Sequence, residues 1–211
     1  MKITKLEHAC LDITDGDGRL IIDPGAYATS LTNFNNITAL VITHVHQDHF
    51  DEQKVGQILA ANPAVQVFST SEVAEKLANK AVTVPEVGKI YTAGGFTLAF
   101  YGGQHAMITA TYPKNQNFGV LVNDTLYYPG DSFTPCPKPH TILAAPSMAP
   151  WLKLSEAVDF ITTDSAQKVF PTHNGFLNEA GNDLHNRMLG DTTKAANKTY
   201  LPLKPNELIN T

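Results

Sequence analysis

Residues 39–51 read ALVITHVHQDHFD, an apolar run that passes directly into three histidines and two acids. ALVIT has no polar alternation, which suits a strand buried on both faces. The chain must therefore cover that strand from two sides. It must also place His44, His46, Asp48 and His49 where the strand emerges. A hydrophobic core does not take so many polar groups without partners. His44 and His46 alternate along extended chain and so point to one side. Asp48 and His49 lie just beyond, where the chain turns into the next segment.

The flanking sequence predicts an α/β fold. ITKLEHACLDIT and RLIID flank Asp15-Gly16-Asp17-Gly18, a hairpin signal. Gly94-Gly95 between GKIYTA and FTLAFYGG, and Asn123-Asp124 between FGVLVN and TLYYPG, give two more hairpins. Helical spacing marks DEQKVGQILAANP, stopped by Pro63. Two further helices are SEVAEKLANK, capped by Ser71 with Glu75 to Asn79 toward solvent, and LSEAVDFITTD, opened by Ser155. VQVFST, TILAAP and KVFPTH read as strands. Hairpin-paired strands followed by strand–helix alternation, twice over, predict two mixed β-sheets packed together with helices on the outer faces. With 211 residues and no linker or charge block, a single domain over 1–211 is expected.

Imidazole and carboxylate donors suit zinc, iron or manganese. Four donors within six residues fit two neighbouring ions better than one, and such pairs stand about 3.5–4 Å apart. Further ligands must then come from elsewhere. His105 in GGQHAM, Asp131 in PGDSF and His173 in PTHNG each follow a predicted strand beside a Gly or Pro. Loops at strand ends are where a scaffold mounts its chemistry.

T-H-x-H-x-D-H, then a His, then G-D-[ST], then P-x-H-x-G, in this order, resembles the metallo-β-lactamase superfamily. The resemblance covers nearly the whole chain and implies a four-layer αβ/βα sandwich with metals at one edge. It implies His44, His46 and His105 on one ion, Asp48, His49 and His173 on a second, and Asp131 bridging both. Asp23 in LIIDPG matches the family's buried Asp that orients the ligand loop. From YYPGDSF through TILAAPSMAPWLKLSEAVDFI to VFPTHNG the chain looks most like the ascorbate-6-phosphate lactonase-like group of small metal-dependent hydrolases.

The expected function is a hydrolase with two divalent ions, zinc first, with manganese or iron as alternatives. Two cations sharing one water lower its pKa and give a hydroxide near pH 7, for attack on a small ester, lactone or phosphoester. Asp48 and Asp131 are the catalytic carboxylates, Asp48 also accepting a hydrogen bond from the hydroxide. Histidine ligands need their other ring nitrogen anchored; Asp23 is the first candidate and Thr43 the second. Asn174 and His185 are candidate substrate contacts, and His8 reads as structural. Tyr27 and Phe34, in the Gly25 to Ile37 loop, are offered as cover for the site. Tyr112, Phe133, Met148 and Trp151 are offered as a wall, with core packing as the competing role of each aromatic. The alternative is a mononuclear iron oxygenase of the persulfide dioxygenase kind, keeping His44, His46, His105, His173 and Asp131 around one metal.

A formal charge of −5 gives no basic excess for a nucleic-acid partner. Only 55 residues separate His49 from His105, too few for a nuclease insertion. No stretch approaches the roughly 18 apolar residues of a membrane span, and the start lacks the apolar run of a signal peptide. Cys10 and Cys136 read as free thiols in a reducing cytoplasm. A small-molecule substrate is the expected partner, and a homo-oligomer is compatible with the sequence.

Overall fold

The computed structural model describes residues 1–78 and 81–211. The first half runs β1 (Lys2–Lys5), β2 (Leu11–Asp15), β3 (Gly18–Ile22), β4 (Ala39–Ile42), α1 (Glu52–Ala61), β5 (Gln66–Ser69), α2 (Ser71–Lys76) and β6 (Val82–Thr83). The second runs β7 (Ile90–Ala93), β8 (Phe96–Gly102), β9 (Phe118–Val122), β10 (Leu126–Tyr128), β11 (Ile142–Pro146), α3 (Leu154–Thr163), β12 (Lys168–Thr172), α4 (Glu179–Ala195), β13 (Thr199–Tyr200) and β14 (Leu208–Asn210).

Two mixed sheets result, ordered β14-β1-β2-β3-β4-β5-β6 and β13-β12-β11-β10-β9-β8-β7. In the first, β14 to β3 pair antiparallel and β3 to β6 parallel. The second repeats the plan, antiparallel from β7 to β10 and parallel from β10 to β13. The period-2 alternation of strands sorts the apolar residues into layers. Leu20, Ile22 and Val41 face Leu98, Phe100, Val120 and Tyr128 of the other sheet and form the central core. Their neighbours Ile21, Leu40 and Ile42 face outward onto Val55 and Ile58 of α1 and Val73 of α2. Leu121, Tyr127 and Leu143 likewise meet Ala157, Phe160 and Ile161 of α3 and Leu189 of α4. Three apolar clusters between four layers make the αβ/βα sandwich that the sequence predicts.

The three hairpins form where expected. Gly16, Gly94, Gly95, Asn123 and Asp124 all take positive φ at the turns, as tight turns that match the strand twist require. Several boundaries differ. ITKLEHACLDIT is two strands, broken by a tight loop at Leu6–Cys10 in which Leu6 N donates to Cys10 O. The extended chain expected through His46 stops at Ile42, and His49 N and Phe50 N both donate to His46 O in a turn. Thr70 rather than Ser71 caps α2, its hydroxyl accepting from Val73 N. The Ser71 hydroxyl instead donates to Gln116 Oε1. The N-cap of α3 is Lys153 rather than Ser155. The end of the helix expected over 71–80, including Asn79, lies outside the described residues. No helix among the described residues is long and apolar enough to cross a membrane.

Strands β1, β3, β4 and β5 run in one direction within their sheet, as do β8, β10, β11 and β12 in theirs. The segments that follow β1, β3, β4, β8, β10 and β12 hold His8, Asp23, His44 to His49, His105, Asp131 and His173. Loops beyond the carboxyl ends of parallel strands are the usual place for a site in an open α/β sheet.

Candidate metal centre

The structure gathers all seven side chains of the expected ligand set. The His44, His46 and His105 rings lie 4.7–4.9 Å apart, centroid to centroid. The His49 and His173 rings stack at 5.2 Å. Asp131 sits between the groups, with Oδ2 3.3 Å from His105 Nε2 and Oδ1 3.1 Å from His49 Nε2. Asp48 Oδ2 is 3.2 Å from His173 Nε2.

One nitrogen of each ring is tied back into the protein. The His49 Nδ1–H donates to Asp23 Oδ2 at 2.6 Å. His105 Nδ1–H donates to the Ala106 carbonyl and His173 Nδ1–H to the Met148 carbonyl, both at 2.5 Å. The Thr43 hydroxyl donates to Asp23 Oδ2, so it accepts from His44 Nδ1–H at 3.1 Å. His46 is reversed: its Nε2–H meets Asn115 Oδ1 at 3.1 Å, which leaves Nδ1 free. A neutral imidazole with one nitrogen donating presents a lone pair on the other.

Those remaining nitrogens carry the central observation. His44 Nε2, His49 Nε2, His105 Nε2, His173 Nε2 and Asp131 Oδ1 are all buried, and none has a hydrogen-bond partner among the described residues. His49 Nε2 and Asp131 Oδ1, and His173 Nε2 and Asp131 Oδ2, stand 3.1 Å apart without meeting hydrogen-bond geometry. Each unsatisfied buried polar atom costs about 1–3 kcal/mol, so five together require something to bind them. The donors fall into groups within 4.8 Å of one another: His44, His46 and His105; His8, Asp48, His49 and His173; and His44, His49 and Asp131. All-imidazole and carboxylate donors suit a divalent transition metal, and the residues fit a divalent-metal site.

Electrostatics agree. Burial would push the Asp48 and Asp131 carboxyls up, yet the imidazoles around them hold both well below the usual carboxylate range. Burial pulls His44 down, with the positive charge of His49 adding to it, so His44 stays neutral. Burial would lower the His49 and His173 rings as well, but the carboxylates beside them push both up, so a cation binding at their Nε2 atoms displaces a proton from each.

Asp23 anchors the ligand loop. Its Oδ1 accepts from Thr43 N at 2.7 Å, and its Oδ2 accepts from the Thr43 hydroxyl, His49 Nδ1 and, at 2.9 Å, the Tyr128 hydroxyl. Asp23 and His173 both hold positive φ, at 50° and 59°. Non-glycine residues take up this region rarely and at a cost of about 1–3 kcal/mol, so the surroundings must impose it. A Cβ on Gly25 would strike the Asp48 carbonyl, so only glycine lets the loop after β3 pass this close to the ligand loop.

Beside the cluster lies a cavity of about 290 Å³, lined by Tyr27, Tyr112, Trp151 and Phe176 along with His46, Asp48, His105 and Asp131. Tyr27, Tyr112 and Trp151 therefore reach the site, whereas Phe34 packs beneath α1 and Phe133 packs against both Trp151 and Phe160. Met148 contributes its carbonyl. Two expected substrate contacts, Asn174 and His185, fall outside that lining. The Asn174 amide donates to Asn182 Oδ1, and Asn174 lines a second cavity of about 480 Å³ that shares Tyr27 with the first and reaches His8. His185 Nδ1 lies on the Ser147 carbonyl at 2.8 Å. The sequence reading missed two contacts. Trp151 Nε1–H donates to Asp131 Oδ2 at 2.8 Å, and His8 Nε2 lies 3.0 Å from Asp48 Oδ2. A signal for His8 was present, since it follows a strand at the same sheet end; taking ITKLEHACLDIT as one strand hid it.

The family described as "Beta-lactamase superfamily domain" matches residues 2–173. Protein Rv0786c of Mycobacterium tuberculosis is 31% identical over 182 residues, covering 84% of this chain and 85% of that protein. Igni18, a metallo hydrolase of Ignicoccus hospitalis, has the same fold with a TM-score of 0.76 at 18% identity, over 99% of this chain and 97% of its own. CmlA, a diiron β-hydroxylase of Streptomyces venezuelae, superposes with a TM-score of 0.69 at 12% identity, over all of this chain and 54% of its own. Matched along most of its length and built on the metallo-β-lactamase sandwich, the chain belongs to the β-lactamase superfamily.

Proposed function

We propose that the protein is a metal-dependent hydrolase with two divalent ions, zinc before manganese or iron. His44, His46 and His105 hold one ion, Asp48, His49 and His173 the other, and Asp131 stands between them. The observation that carries the reading is the convergence of buried donor atoms that have no hydrogen-bond partner among the described residues, on rings whose opposite nitrogens are anchored. A bound pair of divalent ions supplies an acidified water and a Lewis acid for the substrate oxygen.

The chain's own residues supply the rest. Asp48, half-buried at the cavity mouth, is placed to accept a hydrogen bond from the attacking water and hold it toward the substrate. Trp151 fixes Asp131 through its indole N–H. Tyr27, Tyr112, Trp151 and Phe176 exclude water and clasp the non-reacting part of the substrate. The cavity is at the small end for a ligand site, so the substrate is small. Among the described lining residues there is no Lys or Arg. Charged phosphate groups are usually met by such side chains, which favours a neutral ester or lactone over a phosphomonoester.

The oxygenase reading places a single iron. It would leave the buried His49 Nε2 and the Asp48 carboxylate without a use, so the binuclear reading accounts for more of the site. The test is metal analysis of natively purified protein, followed by a screen of lactones, carboxylic esters and phosphodiesters with metal-depleted protein as control. Two divalent ions per chain and metal-dependent hydrolysis are expected. One iron per chain with oxygen uptake would replace this reading by the oxygenase.

A further inference from the structure

The Leu6–Cys10 loop delivers His8 to the site by three contacts. His8 itself holds a positive φ of 57°. The His173 amide donates to the His8 carbonyl at 2.9 Å, and the Gly175 amide donates to His8 Nδ1 at 3.1 Å. On the far side of the ring, Nε2 lies 3.0 Å from Asp48 Oδ2. The ring is boxed between His173, with centroids 4.0 Å apart, and Phe176, at 4.7 Å. A Cβ on Gly175 would sit 2.9 Å from His8 Nδ1, so a side chain there would displace the ring.

A backbone amide can only donate. His8 Nδ1 must therefore accept, and a neutral imidazole then carries its proton on Nε2, the atom that faces Asp48. This also decides between two roles. His8 lies within ligand distance of Asp48, His49 and His173, but an Nε2 that bears a proton has no lone pair for a cation. The oxygen it meets, Asp48 Oδ2, is the one turned toward His173 Nε2 and His49 Nε2, at 3.2 and 3.8 Å.

We infer that His8 is a positioning residue of the metal centre: Gly175 fixes its tautomer, and its Nε2–H holds Asp48 Oδ2 in the orientation that meets the second cation. The inference rests on the metal-centre reading above. It makes a specific demand of the loop between β1 and β2, which otherwise contributes no donor to the cluster. His8 acts through Asp48 and does not touch substrate, so its loss falls on one cation rather than on both.

Three variants and one spectrum test this. Partners of metal ligands are typically worth about 10–100-fold in metal affinity. His8→Phe is expected to weaken the second zinc by about that factor in a competitive chelator titration, with the first zinc unchanged. His8→Gln, whose amide can donate from near the Nε2 position, recovers most of the affinity. Gly175→Ala, which crowds the ring, follows His8→Phe. In the wild type, a long-range ¹H–¹⁵N spectrum at pH 7.5 is expected to show His8 protonated on Nε2 only, a readout that does not depend on any variant folding. A proton on Nδ1, a ¹⁵N shift of a zinc-bound Nε2, or equal zinc affinities in His8→Phe and the wild type would each overturn the assignment while leaving the metal centre standing. Wild-type protein that takes up no divalent ion would sink the metal-centre reading, and this inference with it.

Discussion

Trp151 and Asp131 are joined by a 2.8 Å hydrogen bond from the indole nitrogen to Oδ2. Asp131 lies within 3.3 Å of His105 on one side and of His49 and His173 on the other, so Trp151 orients a side chain that touches both donor groups. A hydrogen bond to a charged acceptor contributes about 1.5–3 kcal/mol. Trp151→Phe keeps the aromatic wall and removes only the donor. It is expected to lower kcat/KM by about 10–100-fold on whichever substrate the screen identifies, with the metal content retained. Steady-state kinetics together with metal analysis check this; unchanged kinetics would show that Asp131 needs no anchor.

Asp23 accepts from Thr43, His49 and Tyr128 in the interior. Replacing it leaves several buried donors without an acceptor, at about 1–3 kcal/mol each when unsatisfied. Asp23→Ala is expected to destabilise the protein by about 3 kcal/mol, which lowers Tm by about 6–12 °C at this chain length. Metal content should fall with it, because the His49 ring is released. Calorimetry and metal analysis measure the two effects on one sample.

Removing the ligands' cation should itself be visible in stability. A ligand present at about 1,000 times its Kd stabilises the folded state by about 4 kcal/mol, or about 8–16 °C in Tm at this size. Exhaustive chelation is expected to lower Tm by that order, and adding back zinc to restore it. His46→Ala, at the more exposed end of the cluster, should halve the zinc per chain while the fold persists by circular dichroism. A chelator-insensitive melting curve would count against both statements.

His140 and Asp164 form a separate buried pair, with Nε2 3.0 Å from Oδ1. Burial alone would lower the imidazole, but Asp164 and the neighbouring Cys136 and Lys138 carbonyl push it up to about 10. An unfolded histidine titrates near 6.5, so the folded state binds the extra proton between these values. The pair's stabilisation is therefore complete below about pH 6.5 and is lost as pH rises through about 10. Asp164→Asn should flatten the fall in urea midpoint over that window. A variant with the same slope as the wild type would assign the fall to other groups.

Much of the fold is legible because its cues are local. The apolar run at 39–42 and the turn dipeptides at Gly94-Gly95 and Asn123-Asp124 each fix an element by short-range sterics. The donor cluster is legible because histidine and aspartate at such density have few other uses. The rest depends on distant contacts. Helix α4 buries Leu189 and Thr193 and otherwise presents mostly polar groups, so it carries no apolar stripe to read. The edge strands β13 and β14 have two and three residues, too few for a pattern. The left-handed backbone at His8, Asp23 and His173 is imposed by tertiary hydrogen bonds, not by glycine, and no local rule would place it there.

The two sheets share each donor group. His44 and His46 follow a strand of the first sheet and His105 a strand of the second; Asp48 and His49 belong to the first and His173 to the second. An ion in either position thus rivets one half of the molecule to the other at the rim where the seam opens. Without it, the seam is expected to breathe first at that rim, where amide protons next to the rivet would exchange soonest.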